Sequence, residues 1–166
     1  MPAWRASSGF DRVAVLSHRS TGRLAVIGLW HGDLPPIDAR SLESLNEHLD
    51  QARVDAWFSV EISTGHIEGD AGRIVSAAVQ PGSGENVIAR FQNVIMHAAT
   101  AQSGFRGGLL LMHEDRRQVV SIGLWNSHAE LIESERTGYF GRQLPRLSRF
   151  LDGPPSNVHY DTIIAM

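Results

Sequence analysis

Apolar positions along the chain fall into blocks with two periods, separated by polar, glycine-punctuated stretches. From 85 to 100, Val87, Ile88, Phe91, Val94, Ile95 and Ala98 share one helical face. Ser83 suits the N-cap of that helix and Glu85 its first turn. Upstream, 74–79 is short and apolar and reads as a strand, with Pro81-Gly82-Ser83-Gly84 as the turn between. Downstream, 107–112 and 119–125 read as strands around a charged turn at 114–117. A second helix starts at 127–135 with Ser127 as its cap. Gly138 interrupts it, and the helical pattern resumes over 143–151 despite Pro145. The last strand is 157–165. The order β-α-β-β-α-β is the ferredoxin-like split βαβ pattern.

The first part of the chain repeats part of the second. Ser8-Gly9-Phe10 recurs as Ser103-Gly104-Phe105, and Ile27-Gly28-Leu29-Trp30 as Ile122-Gly123-Leu124-Trp125. Leu16 matches Leu111 and His18 matches His113 at the same offset of 95, giving 9 identities over the 24 positions 8–31 without a gap. Strands at 12–16 and 24–30, a helix at 38–53 carrying Leu42, Leu45 and Leu49, and a strand at 55–62 with Trp57 or Phe58 facing a core make the order β-β-α-β. The opening strand and helix are missing, and residues 1–7 are too few to supply them. The expected organisation is an incomplete repeat at 8–63, a linker at 64–72 and a complete module at 73–166, an α+β fold of tandem ferredoxin-like modules.

Composition narrows the chemistry. The 166 residues include no Cys, which excludes disulfides and thiolate catalysis, and all 15 basic residues are Arg, which excludes a Schiff-base lysine. A net charge of −3 does not point to nucleic acid or membrane as a partner. The start has no apolar run of signal-peptide length, so a cytoplasmic protein is expected. The eight histidines show no metal-binding spacing, and no glycine-rich nucleotide motif occurs. Neither a metal nor a cofactor is expected.

The run Ser103-Gly104-Phe105-Arg106-Gly107, a hairpin, and then Val119 through Trp125-Asn126-Ser127 before a helix resembles the antibiotic biosynthesis monooxygenase domain of the dimeric α/β-barrel superfamily. The stretch from Gly141-Arg142 to Gly153-Pro154-Pro155 is similar to quinone-forming monooxygenases of aromatic polyketide pathways. The resemblance implies two four-stranded sheets closing a barrel, here as an intramolecular pseudo-dimer, with a homodimer as the alternative. It also implies a cofactor-independent oxygenase, in which an aromatic polyketide-like small molecule, as its carbanion, reacts with dioxygen to give a quinone. A non-oxidative cyclase or isomerase, a non-catalytic small-ligand-binding barrel, and a haem-binding protein are the alternatives.

Candidate site residues follow from the same resemblance. His113 is the base, or else a half-exposed strand-end histidine. Arg142, eleven positions before Gly153, is the oxyanion-stabilising cation, or else an exposed helix arginine like Arg146 and Arg149. Trp125 borders the pocket or simply packs a core. Ser121 stands where quinone-forming relatives carry Asn, Leu131 where they carry Tyr, and Tyr139 is a substitute for that Tyr. Asn126 is a further polar group nearby. His97 on the first helix stands where haem-degrading relatives carry an iron ligand, but their partner Asn is absent from 74–79, so a satisfied, partly buried histidine is the better reading. In the last strand one of His159 and Tyr160 must point inward.

Overall fold

The computed structural model describes residues 9–31, 58–66, 68–113 and 115–165. The expected helix at 38–53 and Trp57 lie outside them. Among the described residues seven strands form one antiparallel sheet: β1 (Phe10–His18), β2 (Leu24–Trp30), β3 (Phe58–Gly65), β4 (Ala71–Ala78), β5 (Phe105–His113), β6 (Gln118–Trp125) and β7 (Ser156–Ala165). Their order across the sheet is β2-β1-β7-β4-β6-β5-β3. The stretch expected as a linker is shorter than the sequence suggests, because β3 runs to Gly65 and β4 begins at Ala71.

Three helices among the described residues cover one face of the sheet. The first, α1, runs Gly84–Arg90, continues as a π-helical turn over Phe91–Met96 and ends at His97–Thr100. The wider turn brings Phe91, Ile95 and Met96 all to the buried side. Ser83 precedes α1 but makes no side-chain cap bond. Ser127 does cap α2 (His128–Arg136): its Oγ accepts from the Glu130 backbone N–H at 3.3 Å and donates to the Glu130 carboxylate at 3.1 Å. Gly138, at φ +73°, separates α2 from α3 (Tyr139–Ser148). No helix among the described residues is long and apolar enough to cross a membrane.

Strand alternation sorts the side chains into two cores. On the helical face Leu110, Met112 and Val119 pack against Val87, Phe91, Ile95 and Tyr139. On the other face Leu16 of β1 joins Leu109 and Leu111 of β5, with Ile122 and Leu124 of β6 between them. Strands as distant in the order as β1 and β5 share that core because the sheet curls, and bulges at 10/12, 15/16, 60/62 and 105/107 add local twist.

The two hairpins agree residue for residue. Phe10 pairs with Trp30 and Phe105 with Trp125, Ser17 with Leu24 and Met112 with Val119, all at the offset of 95 and with the bulge in the same place. His31 N–H donates to Gly9 O and Asn126 N–H to Gly104 O, each at 2.8 Å. β7 pairs with β1 of the first hairpin, and β3 pairs with β5 of the second. His18 therefore lies opposite Tyr160 and His113 opposite Phe58, both in edge-to-face ring contact at 5.6 and 5.7 Å. Strand β4 pairs with β6 and β7, and β2 and β3 are the two edges of the sheet among the described residues.

The Gly-x-Trp pattern has a packing cause. Positions 123 and 125 share a face of β6, and the indole folds back over residue 123. A Cβ there would lie 2.6 Å from Trp125 Cζ3. Gly123→Ala is therefore expected to push the indole off its seat and cost about 1–3 kcal/mol in chemical denaturation. An unchanged midpoint would show that the ring has room to yield.

Candidate active site

A cavity of ≈ 60 Å³ lies between the helical layer and the sheet. Its sheet wall comes from Arg73 and Val75 of β4, Gly108 of β5, and Ser121, Gly123 and Trp125 of β6. Its roof comes from Phe91, Ile95 and Met96 of α1 and Tyr139, Phe140, Gln143 and Leu144 of α3. Glycine at 108 and 123 leaves space where side chains would otherwise fill the layer. A second lobe of ≈ 30 Å³ continues between the same layers toward Leu151 and Pro155. The walls are mostly apolar, and no imidazole or carboxylate lines either lobe among the described residues.

The charge in this apolar setting is Arg73, which is 6% exposed. Its guanidinium lies 4.4 Å from the Phe140 ring centroid, 4.7 Å from that of Trp125 and 5.8 Å from that of Tyr139. Its Nη1 donates to Glu135 Oε1 of α2 at 3.4 Å. The same Glu135 oxygen accepts from Asn157 Nδ2 at 3.1 Å and meets His159 Nε2 at 2.8 Å, both on β7. Burial lowers the Arg73 pKa, while Tyr139 and Glu135 raise it in part, and a guanidinium remains a cation at neutral pH. Burial alone would raise the Glu135 pKa; hydrogen bonds from Asn157 and His159 and the nearby positive charge outweigh it, so the carboxyl sits below its usual value. Burial raises the Tyr139 pKa against the opposing pull of Arg73, which keeps the phenol protonated. The Tyr139 hydroxyl donates to Ile95 O at 3.4 Å.

Two buried polar atoms on residues lining this cavity have no hydrogen-bond partner among the described residues: Trp125 Nε1 and Gln143 Oε1. Orphaned groups of this kind are rare in folded proteins and ask for a reason.

Of the residues singled out from sequence, Trp125, Ser121 and Tyr139 line the cavity. Leu131 is fully buried and packs in one cluster with Trp125 and Ala71. Asn126 is exposed at the end of β6. Arg142 is exposed on α3 and donates through Nη1 to Thr137 O at 2.7 Å, closing the end of α2. His113 sits at the far end of β5, on the opposite face of the sheet. Its Nδ1 lies 2.8 Å from Asp115 Oδ1. The His18 ring at the matching place in the first hairpin accepts instead, from Ser20 N–H to Nδ1 at 3.3 Å. Neither His113 nor Arg142 is brought to the cavity. His97 is exposed at the end of α1. Tyr160 packs toward the inner core, and His159 faces Glu135. Sequence reasoning missed Arg73, Gln143 and Glu135.

No family model and no curated protein sequence matches the chain. Solved structures do match in fold. A ferredoxin-fold protein related to antibiotic biosynthesis monooxygenases, from Listeria monocytogenes, superposes with a TM-score of 0.63 at 13% identity, over 96% of this chain and 84% of that one. The fold is that of the antibiotic biosynthesis monooxygenases. A protein provisionally named a monooxygenase, from Lactobacillus acidophilus, matches with a TM-score of 0.74 at 10% identity, over 99% of this chain and 81% of its own. An anthrone oxidase-like protein matches at 0.64 and 13% identity, over 96% and 79%. At identities this low the superpositions show a shared fold and leave substrate and chemistry to the site itself.

Proposed function

We propose that the protein is a cofactor-independent oxygenase that binds a flat aromatic small molecule through one ionised oxygen. The observation that carries this reading is Arg73, a buried cation against three aromatic rings in a mostly apolar cavity. A phenolate or enolate oxygen is the complement of such a group, and the surrounding rings suit a planar body. Ser121 and the orphaned Gln143 amide oxygen offer an acceptor or donor to further hydroxyls. With no base lining the cavity among the described residues, Arg73 acts by favouring ionisation of the substrate, and water takes the proton. The carbanion form passes one electron to dioxygen. The radical pair combines to a peroxide anion, which takes up the proton to give a hydroperoxide, and this loses water. A ring CH₂ and O₂ thus become C=O and H₂O, with the substrate as reductant. His113 and Arg142 have no part in this reading.

The cavity as it stands holds about four waters, so a three-ring substrate requires α3 to move outward. Oxygen uptake with emodin anthrone tests the proposal. The expected result is consumption above the spontaneous rate, with the quinone formed in equal amount. Uptake no faster than in buffer sinks it. The second reading, a non-catalytic protein for small aromatic ligands, draws support from that small volume and from the lack of a lining base among the described residues.

We also propose that the two halves arose by tandem duplication and form an intramolecular pseudo-dimer. The common offset of the hairpins and the crossed pairing of β3 and β7 support it.

A further inference from the structure

Glu135 does not line the cavity, yet it is the carboxylate that Arg73 meets. It reaches in from α2, while Asn157 and His159 hold it from β7. The guanidinium thus spans two anchors: rings on the cavity side and one carboxylate oxygen behind. Three donors converge on that single oxygen, so its position is set by β4 and β7 together. An untethered arginine beside a partly exposed carboxylate would gain hydration by turning outward.

We infer that Glu135 is a positioning residue for the cavity's selection of anions: it tethers Arg73 in place and partly offsets its charge, so that residues outside the cavity decide how strongly it favours an anion over a neutral isostere. This rests on the reading of the cavity as a ligand site, but not on oxygen chemistry.

The two contributions separate by substitution. Glu135→Gln keeps an acceptor for Arg73 and removes the offsetting charge. Glu135→Ala removes the tether as well. The probes are benzoate and benzamide, single-ring isosteres that differ in charge, titrated by ligand-observed NMR against the full chain. Wild type is expected to prefer benzoate. In Glu135→Gln the preference should grow by roughly fivefold or more, since a charge is uncovered in a low-dielectric setting, with benzamide binding unchanged. In Glu135→Ala it should fall below that of wild type. With Arg73→Met as background, Glu135→Gln should change nothing. A merely structural Glu135 would shift both probes together in both variants. Parallel shifts, no shift in either variant, or no preference for benzoate in wild type overturns the inference. Failure of anthrone oxidation leaves it standing, because benzoate binding requires no turnover.

Discussion

Arg73→Met is expected to lower the rate of anthrone oxidation by about 10²–10³-fold while leaving the fold as stable as wild type or more so. The two effects have one origin. A guanidinium buried among Trp125, Phe140 and Tyr139 is costly to desolvate, and its ion pair at 3.4 Å is long. Methionine fills similar volume without that cost. Glu135 is not stranded, because Asn157 and His159 remain bonded to it. The cost appears only when a ligand needs its charge balanced inside the cavity. Oxygen uptake measures the first effect and urea unfolding the second. A variant that oxidises anthrone at the wild-type rate removes Arg73 from the reaction. A variant that unfolds with a large loss of stability makes it a packing residue instead.

Trp125→Ala should cost about 3–5 kcal/mol, among the largest single losses available in this fold. The indole is 1% exposed and meets Phe105 edge to face at 5.3 Å. It packs with Ala71 and Leu131, which join β4 and α2 to the end of β6. It also carries the face on which Arg73 rests. Its removal opens a void where helix, sheet and cation meet. For a chain of this length the expected drop in Tm is roughly 10 °C by thermal melting. Trp125→Phe should recover part of the stability, since a smaller ring still covers Gly123. A loss below about 1 kcal/mol for Trp125→Ala would mean that α3 collapses into the space.

Part of the site was legible without the fold. Trp125 with Gly123 two positions earlier is a same-face pair on a strand, and the spacing alone implies a ring folded over a glycine. Gln143 carried a signal too. It lies four residues from both Tyr139 and Leu147, on the stripe that lines the cavity, whereas Arg142 is one position off that stripe and faces solvent. Strand parity likewise separates His113 from the site. It shares a face with Leu109 and Leu111, while Gly108 and Leu110 face the helices. Arg73 had no comparable signal, because a lone arginine at the head of an apolar run reads as a solvent-facing strand end.

By itself, the sequence determined the hairpins, the helices after Ser83 and Ser127, the break at Gly138 and the agreement of the two hairpins. These rest on turn chemistry and on periods of two and 3.6 residues, all set within a few positions of the chain. Only the tertiary structure decided that β7 pairs with β1 and β3 with β5. It alone brought Arg73, Glu135 and His159 together from β4, α2 and β7. Antiparallel pairing between distant strands leaves no local trace, and a buried charge is identified by what surrounds it in space.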